Sequence, residues 1–174
     1  MFTGRPARLK TFDYRGLHRY FLTFCTHDRH HLFVAADCVA VVYAQFLRAA
    51  AMSHMSVLAY CFMPDHVHLL VEGCTEDADG RLFIARAKQL SGFHFRRHFG
   101  VRLWQPFGFE RTLRPDECVL GVARYIFENP IRAGLVARVH DYPFLGSNVY
   151  TVDEILEAIQ LHPRWHNRTS TTVS

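Results

Sequence analysis

The chain has 174 residues, of which 49% are hydrophobic, and a formal net charge of +4. That is enough apolar material for a real core and fits one domain better than two. No run approaches the ~18 apolar residues of a membrane span, and the opening MFTGRPARLK has no apolar stretch of signal-peptide length. The cysteines (Cys25, Cys38, Cys61, Cys74, Cys118) are odd in number and lack CxxC spacing, so neither a disulfide framework nor a zinc ribbon is indicated. The expected setting is a reducing cytoplasm, with no membrane partner.

Residues 1–17 are basic, contain Gly and Pro, and read as a flexible N-terminal arm. A single catalytic domain is expected over 18–161, followed by a polar tail over 162–174. HRYFLTFCT, from His18 to Thr26, is rich in aromatic and β-branched residues and should form the first strand. Val34 to Met52 has helical spacing, with Val39, Val42, Phe46 and Leu47 on one side. Val57–Phe62 and His66–Glu72 are apolar runs parted by Met63, Pro64 and Asp65; proline fixes φ and cannot donate to a ladder, so the pair reads as a hairpin.

Leu82–Phe99 reads as a second helix with Phe83, Ile84, Ala87, Leu90 and Phe95 facing inward and a kink allowed at Gly92. WQPFGFERTL, from Trp104 to Leu113, should run into a further strand. A third helix is expected to start at Pro115 or Asp116 and to close at Pro130, followed by a short helical turn, IRAGL. Thr151–Leu161 reads as a last helix, with Thr151 and Glu154 as a capping box. The order β, α, β, β, α, β, α describes an α+β fold, an antiparallel sheet with helices on one face.

Charge is concentrated rather than spread. Between residues 81 and 114 there are seven arginines and Lys88 against one acid, Glu110. Such a block points to a polyanion, nucleic acid before membrane, because no long apolar helix accompanies it. Arg86, Lys88, Arg96, Arg97, Arg102, Arg111, Arg114 and, further on, Arg124 are the candidate DNA-binding residues. Phe93, Phe95, Phe99 and Trp104 are candidates for base stacking, or else core. His94 and His98 share a helix face, but Arg96 and Arg97 beside them disfavour a cation there. Asp13, Tyr14 and Arg15 are further candidate DNA contacts.

The chemistry converges on YCFMPDHVHLLVE, Tyr60–Glu72. Strand side chains alternate, so His66 and His68 share a face and can hold one divalent cation, although a chance pair among twelve histidines has the same appearance. On the third helix Tyr125 and Asn129 lie one turn apart on one face. An amide oxygen suits Mg2+ or Mn2+ as a further ligand, and a phenol one turn away reaches a phosphate held by that metal. The plain alternative for Tyr125 is a half-buried packing residue with its hydroxyl at the surface.

Three ordered motifs together, His66-Val67-His68 within YCFMPDHVHLLVE, the segment WQPFGFERTLR, and Tyr125-Ile126-Phe127-Glu128-Asn129-Pro130 followed by IRAGLV, resemble the REP-associated tyrosine transposases. These are similar to the single-tyrosine transposases of the insertion sequence 200 type, within the HUH endonucleases. The resemblance spans roughly residues 15–146. It implies an RRM-like, ferredoxin-like antiparallel sheet, His66, His68 and Asn129 as metal ligands, and Tyr125 as nucleophile. It also implies cutting and rejoining of single-stranded DNA beside palindromic hairpins; the sequence leaves monomer and homodimer both open. Asp65 and Arg111 depart from the residues frequent in the family at those positions. A group that deprotonates Tyr125 is not evident; Lys88, Arg124 and Arg111 are candidates. The competing readings are a non-catalytic nucleic-acid-binding module and a small metal-dependent hydrolase that uses water.

Overall fold

The computed structural model describes residues 13–161 of the chain. The polar tail expected over 162–174, and all but the last residues of the expected arm, lie outside the described residues. Residues 13–17 lead into strand β1, Arg19–Cys25. Helix α1, Ala36–Met52, follows, then the hairpin of β2, Met55–Met63, and β3, His66–Gly73. Next come helix α2, Gly80–Phe99, strand β4, Phe109–Thr112, and helix α3, Val119–Arg132. The two-residue strand β5, Leu145–Gly146, and helix α4, Val152–Leu161, complete it. The five strands form one antiparallel sheet in the order β4-β1-β3-β2-β5. β1 through β4 with their two helices are the βαββαβ unit of ferredoxin-like folds.

Helices cover both faces of the sheet, a correction to the expectation of one. Tyr20, Leu22 and Phe24 of β1 and Val67, Leu69 and Val71 of β3 pack against α1 and α2. Ala59, Cys61 and Met63 of β2 and Leu70 of β3 pack against α3 and α4. A sheet covered on both sides needs near-continuous apolar strands, which is why β2 and β3 read as unbroken apolar runs. A register shift between Val57 and Ala59 of β2 lets Val57 serve the first core while Ala59 serves the second.

Local chemistry sets the helix ends. The Asp79 carboxylate accepts from the Leu82 amide and opens α2, and Gly100 at φ 74° closes it. At Gly80 the Tyr20 ring lies 2.6 Å from where a Cβ would stand, so only glycine fits. Helix α2 runs without a break past Gly92. The capping box of α4 is present: the Glu154 amide donates to Thr151 Oγ1 at 3.2 Å and the Thr151 amide to Glu154 Oε2 at 2.7 Å.

Helix α3 differs from expectation at both ends. It starts at Val119 and continues through Pro130 to Arg132. Pro130 removes one amide donor but is buried in the last turn, and closure comes from Gly134 at φ 71°. There the Gly134 amide donates to Ile131 O and the Leu135 amide to Pro130 O, the two bonds of a Schellman motif. Asn129 therefore lies within the helix rather than at its end.

Tyr14 is buried and stacks on Tyr20, with Arg81 over its ring at 4.7 Å, so this expected DNA contact is part of the core. No helix among the described residues is long and apolar enough to cross a membrane.

Candidate active site

Strand parity places the two histidines on the α3 side of the sheet. His66 lies opposite Cys25, and His68 opposite Thr23, in the β1–β3 ladder. Their Nε2 atoms face each other at 3.1 Å. The Nδ1 atoms point the other way, each to a partner: His66 Nδ1 to Asp65 Oδ1 at 2.6 Å, and His68 Nδ1 to Thr23 Oγ1 at 2.8 Å. Two nitrogens at ~2.1 Å from one ion and roughly at right angles stand about 3 Å apart, so the pair is spaced as adjacent ligands of a single cation. Partners on Nδ1 of this kind are the ones that would fix the two imidazoles if their Nε2 atoms held a metal.

The turn that carries Asp65 is itself clamped. Thr26 donates both its amide and its hydroxyl to the Asp65 carbonyl, and the Phe33 amide donates to Pro64 O. Arg29 reaches Asp65 Oδ2 at 2.8 Å from a short helical turn, His27–Arg29, in which Asp28 and Arg29 both take positive φ, 51° and 58°. Two consecutive left-handed non-glycine residues are costly and persist only where surrounding contacts hold them.

Burial lowers the pKa of both imidazoles. His68, 6% exposed, is brought to about 3, first by burial and then by the neighbouring His66, Arg132 and Arg29 charges. For His66 burial also dominates, with Asp65 offsetting part of the shift. Burial alone would raise the Asp65 carboxyl, but the bond from His66 and the His66 and Arg29 charges hold it below the usual carboxylate range. Both imidazoles are thus neutral near pH 7, the form that ligates a metal.

Tyr125 comes to this pair from α3. Its ring meets the His68 imidazole at 5.7 Å and the Phe21 ring edge-on at 5.7 Å, and the residue is 42% exposed. The opposite side of α3, through Val122, Ile126 and Phe127, is buried. Arg132 lies over the Tyr125 ring at 4.5 Å and donates to the Tyr125 carbonyl at 2.7 Å. Asn129 donates its side-chain amide to the same carbonyl at 2.8 Å. That bond orients the amide from one turn below Tyr125 and uses its nitrogen, not its oxygen. No group of three His, Cys, Asp or Glu that could hold a metal occurs among the described residues. A further ligand beside the two histidines would have to be of another type, and Asn129 is of that type.

The family model described as IS200-like transposase matches residues 15–114, more than half of the chain. The match runs from the segment before β1 to the end of β4 and includes both histidines. The chain belongs to the IS200-like transposase family. A Haemophilus influenzae protein named as a REP-associated tyrosine transposase is 25% identical over 136 residues, which is 72% of this chain and 77% of that protein. A solved structure of a REP-associated tyrosine transposase bound to a REP hairpin superposes with a TM-score of 0.65 at 20% identity, over 80% of this chain and 81% of that one. These likenesses bear out the resemblance drawn from the three motifs, and the solved structure shows the same fold.

In this IS200-like transposase the basic residues of α2 are not gathered around the tyrosine. Helix α2, with Arg86, Lys88, Arg96 and Arg97, packs on the sheet face opposite to the His–Tyr site. Lys88 is half-buried, donates to the carbonyls of Gln105 and Pro106 at 3.0 and 3.4 Å, and lies over the Phe24 ring. Its position is that of a packing cation more than of a phosphate ligand. Arg96, Arg97 and Arg102 are exposed. Arg111 pairs with Glu117, whose other oxygen accepts from the Arg114 amide, and Arg124 pairs with Glu128 at 2.5 Å.

Of the aromatics expected to stack on bases, Phe95 and Trp104 are in the core, and the Trp104 indole donates to Ser91 Oγ at 2.9 Å. Phe99 packs at the core margin and Phe93 is exposed. Sequence reasoning missed Thr23, Phe21, Arg29 and Arg132. Arg132 was within reach, since seven residues after Tyr125 is two turns along the same helix face. Thr23 required the strand register, and Arg29 required the tertiary fold.

Proposed function

We propose that the chain is a metal-dependent endonuclease and strand transferase that cuts single-stranded DNA beside hairpins through a covalent 5′-phosphotyrosine on Tyr125. The observation that carries this reading is the exposed Tyr125 ring against His68, whose Nε2 faces that of His66 at 3.1 Å. A half-buried packing tyrosine does not require two neutral imidazoles beside it with their Nε2 atoms turned toward each other. A binding module would need neither feature. The hairpin substrate is suggested by the solved relative, which is bound to a REP hairpin.

His66 Nε2, His68 Nε2 and the Asn129 amide are the groups that would hold the ion, and a mixed nitrogen and oxygen set suits Mn2+ at least as well as Mg2+. When bound, such an ion polarises the scissile phosphate and neutralises charge on its oxygens. The chain's own residues do the rest. Tyr125 Oη attacks phosphorus; the bond to the 3′ oxygen breaks, and that oxygen leaves as a hydroxyl with the equivalent of the phenol proton. Attack by a 3′-hydroxyl on the phosphotyrosine reverses the step and returns the proton to Tyr125. The phosphodiester energy is retained, so strand transfer requires no nucleotide cofactor. Arg132, over the ring, holds Tyr125 and carries positive charge toward the phosphate. The exposed Arg96, Arg97 and Arg102 lie off the site and suit the phosphates of a hairpin stem.

The test is incubation with labelled single-stranded hairpin DNA and Mg2+ or Mn2+, then a denaturing gel. Protein covalently attached to the 5′ phosphate of the downstream fragment is expected. Cleavage without an adduct would replace this reading with hydrolysis by water.

A further inference from the structure

Among the described residues helix α3 packs chiefly over β2 and leaves β1 and β4 open on the side that carries the histidines. On the covered side of β1, Tyr20, Leu22 and Phe24 are buried; on the open side Phe21 and Thr23 are half-buried. Across the edge, Phe109 pairs with Thr23 and Arg111 with Phe21, which puts both β4 side chains on the open face. Phe109 is 44% exposed. Its ring lies 6.0 Å from Phe21, which meets Tyr125 at 5.7 Å and stacks on His68 at 5.5 Å. Three rings are thus in successive contact from the sheet edge to the phenol, with Arg132 over the last and Arg111, paired with Glu117, opposite Phe21 on β4.

We propose that Phe109, seated on Phe21, is the stacking platform for an unpaired base next to the phosphate that Tyr125 attacks. This rests on the proposed function and names the part of the substrate that the open face takes. Single exposed aromatics need no explanation, but a phenylalanine joined through Phe21 to the nucleophile on an edge strand places π-surface where folding does not use it. Bases stack on such rings with little sequence preference, and two guanidinium groups beside them match the backbone that links base to phosphate. The packing of α2 on the opposite face of the sheet fits a division of labour, with the stem held elsewhere and the single strand on this face.

The experiment uses the full chain and a DNA stem-loop, either blunt or with an oligothymidine flank, under conditions without divalent ions so that no cleavage intervenes. The wild type should bind the flanked form more tightly. Phe109→Ala should lose on the order of tenfold in affinity for the flanked form, keep its affinity for the blunt form, and melt as the wild type does; Phe109→Trp should restore flanked binding. If Phe109→Ala retains the wild-type preference for the flank, or weakens both forms equally, the platform is wrong and the tyrosine reading stands. If Phe109→Ala instead changes the oligomeric state with DNA binding intact, the face belongs to a second copy and the proposal fails. If the wild type itself shows no preference for a flank, it is the proposed substrate form that fails.

Discussion

The Tyr125 ring stands against the His68 imidazole with centroids 5.7 Å apart and planes at 69°, one residue on a helix and the other on a central strand. The helix is fixed by its apolar side and by the Schellman closure after Pro130, so the phenol is presented and not buried. Tyr125→Phe keeps the ring contacts to Phe21, His68 and Arg132 and removes only Oη. It should abolish the covalent adduct while changing stability by less than about 0.5 kcal/mol, since an exposed hydroxyl contributes little. Adduct formation by this variant on a denaturing gel would show that another nucleophile acts.

Removal of the groups behind the imidazoles should act on the metal and not on the nucleophile. Thr23→Val keeps the size of the side chain but takes away the hydroxyl 2.8 Å from His68 Nδ1. Asp65→Asn weakens the bond to His66 and the ion pair to Arg29. Each should weaken Mn2+ binding roughly 10- to 100-fold, as measured by titration of the full chain, with Tyr125 chemistry recovered at high metal concentration. Unchanged affinity in both variants would mean that the imidazoles are held by packing alone.

Acid should destabilise the fold through His68. Its pKa is about 3 in the folded chain against an ordinary 6.5. Below pH 6.5 the unfolded chain takes up a proton that the folded chain refuses, so stability is full above 6.5 and declines as pH falls toward 3. Urea unfolding at stepped pH should show this decline, and His68→Leu should flatten it. Parallel pH profiles for the two proteins would exclude His68 as its source.

The exposed arginines of α2 predict a different signature. Arg96→Ala with Arg97→Ala should weaken hairpin binding across sequences and make the slope of log affinity against log salt shallower by about 0.9 for each phosphate left without its arginine. The cleavage position should not move. A shifted cut, read on a sequencing gel, would place these residues at the single strand.

What the sequence made legible was periodic. Alternation put His66 and His68 on one face, and helical spacing put Tyr125 opposite the apolar side of α3; the structure has both. The segment Trp104–Leu113 was legible only in part, because Trp104 closes the core through Ser91 and the strand proper is Phe109–Thr112. Where the basic block stands relative to the tyrosine was not legible: charge density along a sequence says nothing about which sheet face a helix covers, and α2 covers the one away from the tyrosine. Pro130 misled because a proline late in a helix can be accommodated when a glycine closes the end behind it. The Arg29 contact to Asp65 depends on two left-handed residues in succession, which no propensity favours.

The bond between Thr23 and His68 has a consequence for how the site would take up the proposed ion. The Asp65 carboxylate only accepts, so the His66 proton is on Nδ1 and its Nε2 is bare. The 3.1 Å contact then needs the His68 proton on Nε2, with Nδ1 accepting from the Thr23 hydroxyl. To offer its Nε2 lone pair to a cation, His68 must carry that proton on Nδ1 instead, and the same hydroxyl can turn and accept it. The proton is relocated within one ring and is not given up to solvent. Calorimetric heats of Mn2+ binding near neutral pH should accordingly be the same in buffers of high and low ionisation enthalpy.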